Sequence, residues 1–302
     1  MTDVLSAGPF GNPGHWFKGC LHVHSAASDG ERTPTEVLEW YRSRGYHFVG
    51  LTDHRVGSEA QSMATSFITL AGIELDGIDP NAGLYHVIGL AASGPMKGAS
   101  QGNASTQEAI DELRAAGALV AIAHPYWSGQ MSKDLVDLEG CFALEIYNGG
   151  CEVEDAKGFS TVHWDDLLAA GCRLWGIAVD DAHWRNGSRD AGLGWVWVKA
   201  PALTQQAILR ALEKGHFYAS SGPRIYNAKI EGTQIWAHCS PSTVIDFIGN
   251  GYRSQRVTAP PGETLTEARA WLGWEQQYVR VACRDPEGHW AWSNPIFLET
   301  KE

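Results

Sequence analysis

Apolar and polar positions in the first two thirds of the chain alternate between short strand-like runs and short helix-like runs. The first helix is predicted after residue 30, where Thr33 is placed as the N-cap and Pro34 as the first helical residue. Glu36 completes a capping box, and Gly45 ends the helix. Strands alternating with helices predict an α/β fold, either a parallel β/α sheet or a barrel. Its functional site would then lie at the carboxyl edge of the strands.

The same rhythm continues to about residue 225 and then changes. Further strands are predicted at 46–52, 66–74, 84–91, 118–123, 143–147 and 173–179, and helices at 106–116, 164–170 and 204–214. Residues 92–105 are small and polar, which predicts a surface loop. After residue 225 the runs are short and β-like, at 225–230, 243–248 and 277–282, with one short helix predicted at Leu265–Trp271. We therefore expect a main domain over 1–225 and a small β-rich module over 226–302.

Residue types that bind metals follow the predicted strands. His22 and His24 project from one face of an extended segment because residues i and i+2 of a strand share a face, and Asp29 follows on the next loop. Imidazole and carboxylate are common ligands of Zn, Mn and Fe. The other predicted strand ends carry similar residues: Asp53, His54, Glu74, His86, His124, Glu145, Asp181 and His183. Each has an ordinary structural explanation when taken singly, but seven such strand ends together predict a shared metal site.

Composition narrows the protein class. The 302 residues are 44% hydrophobic and 19% charged, as in an ordinary globular protein. A net charge of −12 argues against a nonspecific nucleic-acid surface. We expect a cytoplasmic protein, because the sequence offers neither a signal-like start nor an apolar run of membrane-spanning length. Six cysteines without a CxxC pair indicate free thiols.

Ordered motifs link the chain to a known superfamily. HVHSAASDG, LTDH, GIE, HVIGL, AHP and DDAH resemble, in that order, the polymerase and histidinol phosphatase (PHP) superfamily of metallohydrolases over roughly residues 15–225. WFKGCLHVHSAASDG, ALEIYN, DDAHW, FYASSGPRI and AWSNPIFL resemble more closely its CehA/McbA-type branch, and this resemblance reaches the C-terminus. The resemblance implies a distorted (β/α)7 TIM-like barrel of the PHP type that holds two or three divalent ions of Mn, Fe or Zn.

The resemblance also implies which residues hold each metal. The first metal would be held by His22, His24, Glu74 and Asp181; the second by Glu74 as a bridge with His86 and His124; and the third by Asp29, His54 and His183. Many superfamily members have histidine at the position of Asp29. An acid there makes the third site richer in oxygen, which favours Mn or Fe at least as much as Zn.

Several neighbouring residues are candidates for supporting roles. Asp53 is expected to orient His54. Asp180 and Glu145 are either supplementary ligands, hydrogen-bond partners or purely structural residues. Arg224, after a Ser-Ser-Gly run that permits close backbone approach, is either the basic residue nearest the substrate or a surface arginine. Candidates of lower rank are Lys18 and Arg55 as further basic groups, and Trp127 and Trp184 as an aromatic wall or as buried scaffold.

These residues support three hypotheses of function. The first is a metal-dependent phosphoesterase that uses a metal-bridging hydroxide on a small phosphate ester, such as a nucleotide or sugar phosphate. His183, Asp180 or a metal-bound water would protonate the leaving group. The second keeps the metals but hydrolyses a carbamate, ester or amide. The third is a noncatalytic metal-binding or nucleotide-binding module whose β-rich segment contacts a partner.

Overall fold

The computed structural model describes residues 8–60, 62–92, 104–185, 187–273 and 276–298, with residues 62–64 described by their backbone only. Within these residues the chain forms a mixed α/β fold of seven helices and nineteen strands. Most of the predicted loop at 92–105 lies outside the described residues. No helix among the described residues is long and apolar enough to cross a membrane.

The N-terminal part alternates strands with helices. Its elements are β1 (His15–Cys20), α1 (Pro34–Ser43), β2 (Phe48–Gly50), β3 (Ser62–Ala64), β4 (Phe67–Leu70), β5 (Gly72–Asp79), β6 (Gly83–Leu90), α2 (Thr106–Ala115), β7 (Leu119–Ile122), α3 (Pro125–Ser128), α4 (Ser132–Leu135), β8 (Cys141–Asn148), α5 (Gly149–Asp155), α6 (Thr161–Ala169), β9 (Trp175–Val179), β10 (Trp195–Ala200), α7 (Gln205–Glu213) and β11 (Phe217–Ser220). The predicted start of α1 is confirmed, since Thr33 and Glu36 form a capping box in front of Pro34.

Every element described after β11 is a strand. These are β12 (Ile225–Glu231), β13 (Gln234–Ser242), β14 (Val244–Gly249), β15 (Gln255–Thr258), β16 (Leu265–Trp271), β17 (Tyr278–Arg284), β18 (Trp290–Ser293) and β19 (Ile296–Phe297). The predicted helix at Leu265–Trp271 is therefore wrong. Ala268 and Ala270 are buried while Glu267 and Arg269 are exposed, which is the two-residue period of a strand covered on one face.

The strands form three sheets. An eleven-stranded sheet has the order β15-β14-β17-β18-β11-β10-β1-β2-β4-β3, with β19 beside β17; a five-stranded sheet runs β5-β6-β7-β8-β9; and a three-stranded sheet runs β12-β13-β16. The described ladders do not close into one continuous barrel sheet. Two isolated parallel bridges connect the larger sheets at the ends of their strands, Val23 with Ala182 and His54 with Glu74.

Strand direction departs from the all-parallel arrangement that the alternation favours. β1 runs parallel to β2, and β7, β8 and β9 run parallel to one another, but β5, β6 and β7 are antiparallel. The reason for the β5–β6 pairing is local: Asp79 and Gly83 face each other across a tight turn, and Gly83 has a φ of 77°. So short a connection permits only antiparallel pairing.

The C-terminal strands share a core with the N-terminal elements. Trp164 of α6 and Leu144 of β8 belong to the same buried apolar cluster as Tyr278, Ala282 and Trp292 of β17 and β18. The division after residue 225 into two domains stays a prediction, but the packing and the eleven-stranded sheet both cross that point in the sequence.

Candidate metal centre

Side chains from β5 and β6, and from the segments that follow β1, β2, β7 and β9, converge where the two larger sheets meet. Backbone hydrogen bonds hold this junction together: the Asp181 amide donates to the His22 carbonyl at 2.9 Å, and the His24 amide donates to the Ala182 carbonyl at 3.1 Å. The structure brings all nine predicted ligands into four overlapping groups, each with its ligand atoms within 4.8 Å of one another: His24, Asp29, His54 and His183; His22, His124 and Asp181; His22, His24 and Glu74; and His54, Glu74 and His86.

The two histidines of the HxH segment meet two carboxylates in the fully buried part of the cluster. His22 Nε2 lies 3.1 Å from Asp181 Oδ1 and 3.4 Å from Glu74 Oε2. His24 Nε2 lies 3.0 Å from the same Asp181 oxygen and 3.2 Å from the same Glu74 oxygen. The two imidazole Nε2 atoms are 3.0 Å apart. Four potential ligand atoms therefore point at one small volume.

Glu74 extends the cluster toward a second volume. Its Oε1 atom lies 2.8 Å from His86 Nδ1 and 3.5 Å from His124 Nε2. Its Oε2 atom lies 3.2 Å from His54 Nδ1. With one oxygen toward the HxH pair and the other toward His86 and His124, Glu74 has the geometry of a bridging carboxylate.

Asp29 lies on the solvent side of the cluster. Its Oδ2 atom is 3.2 Å from His183 Nε2, and its Oδ1 atom is 3.6 Å from His24 Nδ1. The rings of His24 and His183 stack with centroids 4.1 Å apart. His24 thus adjoins both the buried group and the group around Asp29, whereas the motif resemblance gives it to the first metal alone.

The donor set fits a metal. His22 Nδ1 lies 2.7 Å from Glu145 Oε1, so a neutral His22 donates there and leaves its Nε2 lone pair facing the cluster. Within the described residues, the buried atoms Glu74 Oε2, Asp181 Oδ1 and His24 Nδ1 have no hydrogen-bond partner. Acceptors that face acceptors in a dry interior require a cation between them, a proton in the metal-free protein or a divalent metal.

In the metal-free protein, the buried charges shift the pKa values of the ligands. Burial alone would lower the pKa of His22, but the charges of Asp181 and Glu74 outweigh burial and raise it well above its ordinary value. Burial alone would raise the pKa of Glu74, but His22 and His86 hold it well below its ordinary value. The cluster therefore stabilises anionic carboxylates and needs positive charge.

A buried hydrogen-bond network around Glu145 orients the ligands. The sequence alone leaves the role of Glu145 open. Glu145 accepts from His22 Nδ1 at 2.7 Å, from the His124 amide at 2.9 Å and from Asn148 Nδ2 at 2.9 Å. The same Asn148 nitrogen lies 3.1 Å from Asp181 Oδ2. Glu145 and Asn148 are both in the ALEIYN motif and both buried. Glu145 is thus a hydrogen-bond partner of the ligands, and Asn148 is a functional candidate that sequence reasoning missed.

Asp53 does not have the role predicted for it. Its carboxylate accepts from the Ser25 amide at 2.8 Å and from the hydroxyls of Ser25 and Ser28, both at 2.7 Å. Asp76 instead lies beside His54, with Oδ1 3.2 Å from His54 Nδ1. Asp53 therefore shapes the loop that carries Asp29, and Asp76 orients His54.

A cavity of about 170 Å³ opens onto the cluster. Its lining residues are Asp29, His54, Glu74, His86, His124, Trp127, Gly150, Cys151, Glu154, Asp155, Asp181, His183 and Arg185. Arg185 is the basic residue of this wall, with Nη2 3.0 Å from Asp29 Oδ2. Sequence reasoning missed Arg185, although it lies two positions after the DDAH motif. Trp127 packs edge-on against His86 and His124 and donates to Asp155 at 2.7 Å, so it is a wall residue.

Other sequence candidates lie away from this cavity. Asp180 is buried and accepts from the Tyr41 hydroxyl at 2.6 Å and from the amides of residues 192–194, each at 2.7 Å. Arg224 stacks on Trp197, with its guanidinium carbon 4.2 Å from a ring centroid. Lys18 lies between Tyr46 and Trp195, 3.9 and 3.7 Å from their ring centroids. Asp180, Arg224 and Lys18 do not line the cavity, so they would not contact a ligand bound in it.

Trp184 and Arg55 also have structural partners. Trp184 is buried, and its indole nitrogen donates to the His24 carbonyl at 2.9 Å, which makes it scaffold rather than wall. Arg55 pairs with Asp76 at 2.6 Å on the surface.

Two of the predicted ligands have a strained backbone. His124 and Asp181 have φ values of 22° and 53°, a region that side chains other than glycine adopt rarely. Such strain persists only where surrounding contacts enforce it, and it is common at ligand and active sites. The hydrogen bond that the His124 backbone amide donates to Glu145 is one of those contacts.

Comparison with solved structures shows a fold shared with one protein and gives weaker matches to others. A two-domain protein from Bacteroides vulgatus, containing a predicted PHP-like metal-dependent phosphoesterase, has 15% sequence identity and a TM-score of 0.52, with 96% of this chain and 99% of that chain covered. An amidohydrolase from Chromobacterium violaceum with bound sulfate matches with 16% identity, a TM-score of 0.44, and 66% and 96% coverage. A lesion-specific endonuclease from Pyrococcus furiosus matches with 15% identity, a TM-score of 0.44, and 66% and 56% coverage. No protein-family model and no curated protein matches the chain.

Proposed function

We propose that this protein is a metal-dependent phosphoesterase of the PHP superfamily, acting on a small phosphate ester such as a nucleotide or sugar phosphate. The observation that carries the proposal is the convergence of nine ligand residues whose buried acceptors face one another without a donor. The shared fold with the Bacteroides vulgatus protein supports it. On this proposal the strand ends around the two isolated bridges are the rim of a distorted PHP-type barrel. The CehA/McbA-type branch remains part of the proposal on its motifs alone.

Each ligand residue has a proposed place in one of the metal sites. His22, His24, Glu74, His86, His124 and Asp181 would hold a bridged metal pair, and Asp29, His54 and His183 would hold a third ion. Divalent ions bound there would lower the pKa of coordinated water toward neutrality and neutralise charge on the substrate oxygens. The Mn, Fe or Zn identity of these ions and their number are open to direct measurement.

Arg185 is the proposed anchor for the substrate's anionic group. Its guanidinium lines the cavity at the side of Asp29, is about half exposed, and can bind phosphate through two parallel hydrogen bonds. Of His183, Asp180 and Arg224, which the sequence offers as catalytic candidates, His183 alone lines the cavity. Its Nδ1 atom faces the Asp181 carbonyl at 2.9 Å, so Nε2 alone is left either to hold the third ion or, in the protonated ring, to donate a proton to the leaving group. Asp180 and Arg224 are not part of the proposed mechanism.

The test is a panel of phosphomonoesters and phosphodiesters assayed after reconstitution with Mn, Fe or Zn. We expect phosphate release that disappears in His22→Ala and Asp181→Ala, with the fold intact by circular dichroism. Arg185→Gln should raise KM about 10-fold or more and leave metal content unchanged, since a charge-assisted hydrogen bond contributes about 1.5–3 kcal/mol. Arg224→Gln is the matched control and should have wild-type kinetics. Absence of phosphate release at full metal occupancy would refute the proposal.

A hydrolase of carbamates, esters or amides is the second candidate, and one observation favours it. Trp127 presents an aromatic surface to the cavity next to His86 and His124, which would suit a flat aryl group. Turnover of a naphthyl carbamate far above that of every phosphate ester, together with loss of that turnover in Trp127→Ala, would favour this candidate over the phosphoesterase.

A further inference from the structure

A second cavity, of about 490 Å³, lies beside α7 and is lined by basic groups. Its lining residues are Asn12, Pro13, Lys199, Pro201, Thr204, Gln206, Ala207, Arg210, Ala211, Lys214 and His216. Lys199, Arg210 and Lys214 are cationic, His216 adds an imidazole, and no carboxylate side chain is among the lining residues. We call this cavity the basic cleft. Its volume is in the range of small-molecule sites.

The charge of the basic cleft is unusual for this chain. The protein has 35 acidic residues against 23 lysines and arginines, so a cation meets a carboxylate partner more readily than the reverse. Within the described residues, none of the three cations of the cleft forms an ion pair. Lys199 Nζ is held instead by the Phe10 carbonyl at 3.2 Å. Three unpaired cations around one concave surface repel one another, and an anion would relieve that repulsion.

Local structure adds to the positive potential. Thr204 caps α7, accepting from the Ala207 amide at 3.2 Å, so the cleft includes the N-terminal turn where the helix dipole is positive. Arg210 and Lys214 follow on the same face of the helix at a spacing of four residues. The pKa of His216 is lowered, first by burial and then by the charge of Lys214, so this imidazole is neutral at pH 7 and can act as a hydrogen-bonding group. The positive potential of the cleft therefore comes from Lys199, Arg210 and Lys214 and from the N-terminal turn of α7.

The basic cleft is separate from the metal centre. Lys199 pairs with Trp16 near the start of β1, whereas His22 and His24 follow the end of that strand. This spacing places the cleft at the opposite end of the strand, roughly 20 Å away at about 3.3 Å per residue. The two cavities share no lining residue.

We propose that the basic cleft binds a small anion with at least two negative charges, of the diphosphate or phosphorylated-metabolite class. Arg210 would bind two oxygens of one phosphoryl group through its guanidinium fork, while Lys199 and Lys214 neutralise the remaining charge. This site is independent of the metal centre and does not rest on the phosphoesterase activity.

The experiment is isothermal titration of inorganic pyrophosphate into protein stripped of metal, at about 50 mM salt where surface charge is weakly screened. Metal-free protein is required because pyrophosphate chelates divalent ions. We expect saturable binding of one pyrophosphate per chain. The double variant Arg210→Gln/Lys214→Gln should bind at least about 10-fold more weakly, since each charged hydrogen bond lost costs that much or more. Arg185→Gln should bind as the wild type does, which separates the cleft from the metal cavity.

A matched control removes the same charge elsewhere. Arg42→Gln/Lys133→Gln lowers the net charge by the same two units at exposed sites outside the cleft, and should keep wild-type affinity. No saturable binding by the wild type, equal binding by the cleft variant, or an equal loss in the control would each overturn the proposal. Tight binding of a single-stranded oligonucleotide with no binding of pyrophosphate would also overturn it, in favour of a polymeric anion. Circular dichroism checks that both double variants are folded.

Discussion

Glu145 provides the most direct test of how the ligand cluster is built. It is fully buried and accepts three hydrogen bonds, from His22 Nδ1, the His124 amide and Asn148 Nδ2. Glu145→Gln keeps the shape of the side chain but replaces one accepting oxygen by an NH2 donor. Whichever way the amide turns, at least one of the three donors then faces a donor.

The two orientations of the new amide have different costs. If its nitrogen faces the His124 and Asn148 donors, both lose an acceptor, which costs about 1–3 kcal/mol each in stability. If its nitrogen faces His22, the ring must accept at Nδ1 and carry its proton on Nε2, the atom that points at Glu74 and Asp181. In both cases His22 loses a carboxylate partner. We therefore expect metal affinity to fall about 10- to 100-fold, as for other changes behind a metal-binding histidine.

Metal affinity is measured by competition with a chromophoric chelator, and stability by urea unfolding of the metal-free protein. Glu154→Gln is the matched control, because Glu154 lies exposed at the cavity rim and should tolerate the change. A loss of stability of about 2 kcal/mol or more would indicate the first orientation, and a loss of metal affinity with near-normal stability the second. Wild-type metal affinity in Glu145→Gln would show that the network does not orient His22, and would refute this reasoning.

Three further predictions follow from the same geometry. Asp29→Ala should lose one metal selectively and leave the bridged pair occupied, as measured by elemental analysis; loss of all metals would contradict the division into sites. For His24, burial alone would lower the pKa, but the buried carboxylates of Asp181 and Glu74 raise it above 6.5. The stability that a protonated His24 contributes to the metal-free protein is therefore complete below that pH and lost as pH rises through the pKa of the folded state. The melting temperature in EDTA should therefore fall above about pH 6.5, and bound Mn should abolish the fall; a flat EDTA profile would argue against the prediction. Arg280→Ala breaks a bidentate ion pair with Asp165, at 2.8 and 2.7 Å, in which the arginine is buried. The free energy of unfolding in urea should fall by about 2–3 kcal/mol. Arg269→Ala, at an exposed ion pair, is the control and should cost at most about 1 kcal/mol.

Local sequence signals predicted local structure well. The capping box of Thr33 and Glu36 depends on residues three positions apart, and it forms as predicted. His22, His54, His124 and Asp181 follow the ends of β1, β2, β7 and β9, as the strand-end pattern predicts. Glu74 and His86 lie inside the antiparallel strands β5 and β6 instead of after a strand. The predicted helix at Leu265–Trp271 is wrong because a strand with alanine on its buried face lacks the β-branched residues that indicate strands.

Side-chain contacts that depend on tertiary pairing could not be predicted from the sequence. Asp53 is adjacent to His54 in the chain, but the partner of His54 is Asp76. The bridge between His54 and Glu74 places β5, which carries Asp76, next to His54. Arg224 lies in a glycine-containing loop suited to ligand contact. That loop follows β11, which pairs with β18, and it lies away from the cavity; Arg224 stacks on Trp197 instead. These outcomes depend on residues tens of positions apart.

The position of β1 explains why the metal centre involves more of the chain than the motifs suggest. β1 leads into His22 and His24 and lies inside the eleven-stranded sheet, with β2 on one side and β10 on the other. Beyond β10 the sheet continues through β11 into β18, β17 and β14, so continuous backbone hydrogen bonds connect the histidine segment to strands after residue 226. The strand that leads into the two histidines is therefore hydrogen-bonded into one sheet with β14, β17 and β18. All nine predicted ligands lie within the first 183 residues, whereas the sheet that holds β1 extends past residue 290.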